Sequence, residues 1–201
     1  MPLVASSGPI SKQFSKEFCF ANADITFKSS DDVLFGVHKA QLEATTGGFV
    51  STELHSKDEV VPLPESSAVL EWLFRFIYPK LRQKLDADLQ FEMLDELSEA
   101  AEKYEVYNAM DACETRMSET LPNHADRIIH YAIKHNYSAM VDAAAEALLR
   151  QPVGQAMKKL PQNLFLAWAL YHDQWSNLQR MAIYEHPYGF GGWFSFGVPG
   201  K

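Results

Sequence analysis

The segment Val69–Ile77 constrains the fold of this chain most, because it is too apolar for a protein surface. Its apolar side chains recur at helical spacing around much of the helix circumference: Val69, Leu70, Trp72, Leu73, Phe74, Phe76 and Ile77. A helix that is apolar on most sides is buried in the core of a domain. Tyr78-Pro79 ends it, since the residue before a proline is disfavoured in the helical conformation. The rest of the chain must therefore supply elements that surround this helix.

The residues that precede this helix predict a small three-stranded sheet. Ala23–Phe27 (ADITF) alternates and Val33–Val37 (VLFGV) is a second apolar run, and the polar SSDD between them makes the pair a β-hairpin. Over residues 38–45 the period changes to that of a short helix, which the glycines of TTGG end. Glu59–Leu63 predicts a third strand, whose proline places it at a sheet edge or a strand end.

Beyond the apolar helix the pattern is helical almost throughout. Phe91–Tyr104 and Val106–Met117 each carry an apolar stripe at helical spacing, and charged residues crowd the other face of the first. After a linker at Ser118–Asp126, helical patterns continue to about Tyr184. The fold class is therefore α+β and helix-dominated. We expect a flexible N-terminal tail over residues 1–20, a mixed domain over 21–118, a helical extension over 119–185 and a Gly/aromatic tail over 186–201.

Charge and cysteine content exclude several classes of function. The chain has 201 residues and a formal net charge of −8, and it lacks the basic face that binding to nucleic acid requires. No window approaches the roughly 18 apolar residues of a membrane span, so we expect neither nucleic acid nor a membrane as a partner. The two cysteines, Cys19 and Cys113, show no CxxC spacing, which favours reduced thiols and a cytoplasmic or nuclear protein.

No catalytic or cofactor motif is present. The chain contains no GxGxxG, GxxxxGK[ST], GxSxG or HExxH pattern, and its seven histidines are scattered. His172 and Asp173, adjacent on a helix, point about 100° apart, which indicates a helix surface and not a general-base dyad. We therefore expect no cofactor, no metal and no catalytic residue. An alternative from another class is a small enzyme that uses the aromatic C-terminal segment around Trp175 and Trp193 as a substrate cleft.

Five sequence pieces follow one another in a recognisable order from Asn22 to about Met117. They are DITF, FGVHKAQL, a loop that ends in Phe49, VLEWLFRFIY and AEKYEV. This pattern resembles the BTB/POZ domain, most closely fungal BTB proteins with an all-helical C-terminal region. The resemblance implies a helical cluster capped by a small three-stranded sheet, and a non-catalytic protein-interaction module that usually homodimerises. The helices over His124–Leu149 lie where related proteins place a BACK-like helical region.

The resemblance also implies roles for residues at the strand-to-helix corner. In the family an acidic residue on the first strand and a basic residue after a histidine meet in a charged pocket near the dimer interface, and these positions match Asp24 and Lys39. Because lysine replaces the commoner arginine, a bidentate clamp on the carboxylate is unavailable. His38 matches a partly buried histidine at the helix start that is not a metal ligand. The expected dimer contacts of the N-terminal extension are Phe14, Phe18 and Phe20.

A substrate adaptor of a cullin-type ubiquitin ligase is the alternative function. Family adaptors carry a hydrophobic-x-acid motif in the loop before the third strand, and here Leu54 is followed by His55-Ser56 where an acid would stand. A cullin site would also need the surface around Tyr104–Met110. The residues that we expect on a surface for a protein partner are Leu54, Tyr104, Tyr107 and Trp193.

Overall fold

The computed structural model describes residues 13–49, 60–78 and 84–185 of the chain. These residues form two compact units, which divide between Thr120 and Leu121. The described strands are β1 (Gln13–Cys19), β2 (Ile25–Lys28), β3 (Val33–Val37) and β4 (Val60–Pro62). The described helices are α1 (Lys39–Thr45), α2 (Ser67–Ile77), α3 (Phe91–Lys103), α4 (Tyr107–Lys134), α5 (Ser138–Leu149), α6 (Val153–Lys159) and α7 (Gln162–Glu185). The predicted helix-dominated α+β fold is confirmed.

The sheet of the first unit has four strands in the order β1-β3-β2-β4, one more than the three predicted. β2 and β3 form the predicted hairpin and pair antiparallel, with Ile25 opposite Val37. Ser29 closes the turn between them, because its hydroxyl accepts a hydrogen bond from the Val33 N–H at 3.0 Å. β4 pairs parallel with β2, and β1 pairs parallel with β3. The two edges of the described sheet are therefore β1 and β4.

β1 is the strand that the sequence did not predict. The expected flexible tail over residues 1–20 is wrong for Gln13–Cys19, which form β1. The pairing of β1 with β3 shifts register between Phe14 and Cys19, so its buried residues are Ser15 and Phe18, three apart instead of two. A strand signal depends on a period of two. The register shift therefore removed the alternation by which a strand is recognised.

α2 is the central helix, as its apolar circumference predicted. Ser66 caps its N-terminus by accepting a hydrogen bond from the Val69 N–H at 3.4 Å. Phe74 is fully buried. Four aromatic rings lie 5.4–6.2 Å from the Phe74 ring, centroid to centroid: Phe18, Phe27, Phe35 and Phe49. Because these rings come from β1, β2, β3 and the segment after α1, one aromatic cluster joins the sheet to the central helix.

The segment after α1 passes close to the junction of α3 and α4. The Gly48 N–H donates to the Tyr104 carbonyl at 2.9 Å. A Cβ atom on Gly48 would lie 2.7 Å from the Tyr104 backbone, so a side chain does not fit there. Phe49 then stacks on the Tyr104 ring, with centroids 4.1 Å apart and planes inclined by 6°. The glycines that end the helical pattern thus also allow two backbone segments to approach closely.

The described part of the second unit is helical. α4 consists of two helices joined across a kink in the predicted linker at Ser118–Asp126, where His124 leaves the helical conformation at φ −127° and ψ 24°. The division between the two units falls in the same linker, between Thr120 and Leu121. Pro122, two residues before His124, interrupts the helix locally, because a proline removes a backbone hydrogen bond. The predicted break at HNYS is confirmed, and Asn136 turns the chain there with a positive φ of 61°. None of the helices in the described ranges has the length and hydropathy to span a membrane.

Candidate interaction surface

β1 is attached to α2 by side chains as much as by strand pairing. Ser15 Oγ donates to Glu71 Oε1 at 3.1 Å and accepts from the Phe18 N–H at 3.2 Å. Arg75 donates from Nε and from Nη2 to Glu17 Oε2, at 2.9 Å each. We call Ser15, Glu17, Phe18, Glu71 and Arg75 the β1 clamp. It holds in place the stretch where β1 loses register with β3.

Next to the β1 clamp, four rings form an aromatic corner at the start of α1: Phe18, Phe20, His38 and Tyr78. The Phe20 ring lies 5.0 Å from the His38 ring and 5.1 Å from the Tyr78 ring, and the Phe18 ring lies 5.7 Å from the Tyr78 ring. Phe18 is fully buried, whereas Phe20 and Tyr78 are half-buried. The corner therefore leaves part of its aromatic surface exposed.

The Tyr78 hydroxyl makes two contacts with His38. It accepts the His38 backbone N–H at 2.8 Å and lies 2.9 Å from His38 Nδ1. The hydroxyl donates its proton to Nδ1 or accepts one from Nδ1, depending on the tautomer of the ring. Nε2 is buried and has no hydrogen-bond partner in the part of the chain that the structure describes. Burial raises the pKa of Tyr78, the hydrogen bond from His38 opposes this, and the charge of Asp24 adds to it.

Asp24 caps α1 from the residue just before β2. Its Oδ1 accepts the Lys39 N–H at 2.7 Å, which satisfies one of the backbone donors left free at a helix start and places a negative charge at the positive end of the helix dipole. Lys39 Nζ lies 3.8 Å from Glu43 Oε1, one turn along α1. The structure thus brings Asp24, His38 and Lys39 together, but the contact between Asp24 and Lys39 is to the backbone and not to the ammonium. A lysine in place of arginine does not weaken such a cap.

The three phenylalanines expected at a dimer seam differ in what they offer a partner. Phe14 is 44% exposed, Phe20 is half-buried, and Phe18 is fully buried against Phe74 of its own chain. Phe18 therefore stabilises the BTB-like core that was expected from the sequence pattern, and Phe14 is the most accessible of the three. A contact with a second molecule on β1 would centre on Phe14.

The four residues expected on a partner surface also differ. Tyr104 is buried: its hydroxyl donates to Glu65 Oε2 at 2.7 Å, and its ring stacks on Phe49. Burial, with the neighbouring Glu65 carboxylate, raises the pKa of Tyr104 well above its ordinary value. Tyr107 is 56% exposed and accessible to a partner. Leu54 and Trp193 lie outside the described residues.

A groove of about 800 Å³ lies beside the C-terminal end of α2. Its lining includes Arg75, Tyr78, Lys84, Asp111, Thr115 and Arg116. Arg116 Nη1 donates to Glu119 Oε2 at 2.8 Å and Nη2 donates to the Ala87 carbonyl. Because Arg75 belongs to the β1 clamp and Tyr78 to the aromatic corner, the groove extends the same surface. The lining also includes the apolar residues Phe76, Ile77 and Leu85, and a groove that combines polar and apolar side chains suits a polypeptide segment.

The described residues contain no group of three or more His, Cys, Asp and Glu side chains that could hold a metal ion. Cys113 is buried in α4, and its burial, with the charge of Glu102, raises the pKa of its thiol to about 12. A thiol with so high a pKa is a poor nucleophile at neutral pH.

Sequence reasoning missed most of the β1 clamp. Arg75 carried a signal, because the one cation inside a helical stretch that is apolar except for Glu71 requires an anionic partner. That partner, Glu17, is 58 residues away in the chain, and helical spacing gives no information across such a distance. Tyr78 was recognised only as the end of the helix, and its bonds to His38 depend on the folded arrangement.

Comparison with known families agrees with this arrangement. Residues 11–121 match the BTB/POZ domain, over more than half of the 201 residues. The chain belongs to the BTB/POZ domain family. Members of this family are protein-interaction modules without catalytic activity of the domain itself, and they commonly dimerise. The BTB match includes β1, which lies before the expected domain start at residue 21. None of the curated proteins matches the chain.

Proposed function

We propose that this BTB protein works by binding other proteins: its BTB unit associates with a second copy through β1, the aromatic corner and α1, and it recruits a further protein partner. The observation that carries this proposal is the exposed apolar edge at β1. The order β1-β3-β2-β4 leaves one side of β1 without a neighbouring strand in the described sheet. Phe14 on that strand is 44% exposed.

A free strand edge with an adjacent apolar anchor suits a symmetric contact. Unpaired backbone groups on an edge strand can pair with another chain. Next to it, α1 exposes the small residues Ala40 and Ala44, which allow a second backbone to approach closely. In a two-fold dimer both copies use the same patch, so the interface contains two Phe14 side chains, one from each copy.

The test compares weight-average mass by light scattering at tens of micromolar for the full chain and two variants. Phe14→Glu introduces a charge on the exposed β1 edge, and we expect it to lower the mass. Val60→Glu is the matched control, because Val60 is 38% exposed on β4, the opposite edge, and we expect it to leave the mass unchanged. Equal masses for the full chain and Phe14→Glu would refute association through β1.

We propose that the further partner contacts Tyr107 and the groove beside α2, since Asn108 and Asp111, which follow Tyr107 in α4, line that groove. The cullin-adaptor alternative has less support, because Tyr104 is buried and Leu54 is followed by His55-Ser56 where an acid would stand. Affinity purification from cytoplasmic and nuclear extracts with the full chain and with Tyr107→Ser tests the proposal. A protein retained by the full chain and lost with Tyr107→Ser supports it. A partner set unaffected by Tyr107→Ser, or a cullin bound equally by both proteins, contradicts it.

A further inference from the structure

α7 has two apolar faces, and only one is packed. On the packed face Trp168 is 3% exposed, and its ring lies 6.1 Å from Phe165 and 5.2 Å from His172. The other face exposes seven large side chains by 39–81%: Leu166, Leu170, Tyr171, Trp175, Leu178, Met181 and Tyr184. We call these seven residues the outer face of α7. At 100° per residue they cover about half of the helix circumference.

An exposed face of this kind marks a contact site. Single exposed apolar residues are normal on a protein surface, but a contiguous apolar patch of several hundred square ångströms is typical of interfaces. From Leu166 to Tyr184 the outer face extends over about 27 Å of helix. Seven side chains that each bury on the order of 100 Å² approach the roughly 800 Å² per partner of a stable interface. The described part of α7 can thus supply a complete contact by itself.

Four leucine and methionine side chains of the outer face are placed nearly symmetrically along the helix, which favours a second copy of α7 as the partner. Leu170 and Leu178 lie four residues before and after Gln174, and Leu166 and Met181 lie eight before and seven after it. When two such helices run antiparallel about a two-fold axis at Gln174, Leu170 of one copy meets Leu178 of the other. Leu166 then lies within one residue of Met181 of the other copy. The stripe formed by Leu166, Leu170, Leu178 and Met181 therefore faces the same stripe of the other copy.

Charge at the edge of the outer face favours the same arrangement. Asn177 donates to Asp173 Oδ2 at 3.2 Å, and Arg180 donates to Asn177 Oδ1, so the three residues form a polar strip along one flank. In an antiparallel pair centred on Gln174, Asp173 of one copy and Arg180 of the other lie on one flank about 7.5 Å apart along the axis, within reach of an arginine side chain. In a parallel pair the two-fold axis runs along the helices and places the polar strips of the two copies on opposite flanks, so Asp173 of one copy would not reach Arg180 of the other.

We propose that the outer face of α7 binds the outer face of α7 in a second copy of this chain, in antiparallel orientation. This contact is separate from the β1 surface, so the chain has two self-association surfaces. The first test uses four full-length proteins: the unchanged chain, Phe14→Glu, Leu170→Glu and the double variant. We expect Leu170→Glu to lower the weight-average mass by about half relative to its parent, in either background, because a charge at the middle of an isologous contact is repeated on both sides.

Met157→Glu is the matched control for the charge. Met157 is 65% exposed on α6, outside the outer face, and its substitution should leave the mass unchanged. Circular dichroism should show the same helix content for all variants, because Leu170 is 70% exposed and its substitution removes no packing within the unit. If Leu170→Glu and Met157→Glu have the same mass as the unchanged chain, the α7 contact is refuted, and the outer face serves a membrane or another protein.

Disulfide crosslinking tests the orientation independently of any charged variant. In a background with exposed Cys19 replaced by serine, Gln174→Cys and Leu166→Cys are oxidised mildly. An antiparallel pair brings the two copies of position 174 together and keeps the two copies of position 166 about 24 Å apart, so only Gln174→Cys should give a covalent dimer. Crosslinking at both positions would show a parallel pair, and crosslinking at neither, or at position 166 alone, would also overturn the proposal.

Discussion

α2 and α7 are both rich in large apolar residues, yet only α2 is buried. Six of the 11 residues of α2 are buried, whereas Trp168 is the one buried side chain among those described in the 24 residues of α7. α2 packs against β1, α1 and α3, and the main neighbour of α7 is α6. The difference shows that apolar content alone does not determine burial. Burial of a helix depends on how many other elements of the same unit pack around it. In the BTB unit the sheet covers one side of α2.

The same substitution in the two helices should therefore have very different effects. Leu73 in α2 is fully buried and Leu170 in α7 is 70% exposed. Leu73→Ala should lower the free energy of unfolding of the BTB unit by about 2–5 kcal/mol, since it removes buried methyl groups and leaves a cavity. Leu170→Ala should change the free energy of unfolding of the second unit by less than about 0.5 kcal/mol. Urea denaturation at submicromolar concentration, which disfavours self-association, gives both values. Equal losses in the two variants would contradict the contrast.

The contrast between α2 and α7 also explains what the sequence could predict. The buried central helix, the hairpin and the helical second half depend on periods of two and 3.6, which are local properties of the chain. Residues at the candidate surface depend on contacts between distant segments. Ser15 bonds to Glu71, and Glu17 to Arg75, across 56 and 58 residues. No local pattern records such pairs, and the register shift in β1 removed even the strand signal.

His38 and Lys39 show that the sequence can predict the position of a residue without predicting its hydrogen bonds. Their placement at the start of α1 follows from the change of period at Val37, and Asp24 follows from its place beside β2. The sequence does not predict which atoms form the hydrogen bonds. Asp24 accepts from the Lys39 backbone N–H, and the Tyr78 hydroxyl contacts both the backbone N–H and Nδ1 of His38. A sequence motif gives the residues of a corner, whereas backbone direction and side-chain conformation decide which groups form the hydrogen bonds.

Glycine substitutions test the tightness of packing in the two units. Gly48→Ala in the BTB unit would place a Cβ 2.7 Å from the Tyr104 backbone, and backbone atoms cannot rotate away, so we expect a loss of about 1–3 kcal/mol in unfolding free energy. Gly154 in α6 has no atom within 4 Å of an added Cβ. Gly154→Ala should therefore stabilise the second unit by about 0.5 kcal/mol, through helix propensity. Thermal unfolding followed by circular dichroism compares the two. A neutral Gly48→Ala would show that the segment after α1 is free to move.

Tyr104 makes the BTB unit sensitive to alkaline pH. Its pKa is raised in the folded state above the ordinary value of 10.0, mainly by burial and then by Glu65. Above about pH 10 the unfolded chain loses this proton and the folded chain keeps it, so stability falls as pH rises, by up to about 1.4 kcal/mol per pH unit.

Tyr104→Phe should cost about 1 kcal/mol of unfolding free energy at neutral pH and should reduce the slope of stability against pH. Part of the pH dependence should remain in this variant, because the pKa of Tyr78 is also raised. Urea denaturation between pH 8 and pH 11 measures both slopes, and identical slopes would refute the assignment.

The smallest contrast concerns two Arg–Glu pairs. Glu17–Arg75 joins β1 to α2 with side chains that are 31% and 30% exposed, and Glu146–Arg150 lies within α5 with side chains that are 59% and 79% exposed. A double-mutant cycle with alanine isolates the coupling of each pair from the other contacts of its members. We expect a coupling of about 0.5–1 kcal/mol for Glu17–Arg75, because partial burial reduces solvent screening, and about 0.3 kcal/mol for the helical pair.

Raising the salt concentration should weaken the α5 pair proportionally more, since exposed charges are screened more strongly. A larger coupling in α5 than in the β1 clamp would mean that β1 is held by Phe18, the Ser15–Glu71 hydrogen bond and strand pairing without the ion pair, and hydrogen exchange at β1 in Arg75→Ala would then equal that of the unchanged chain.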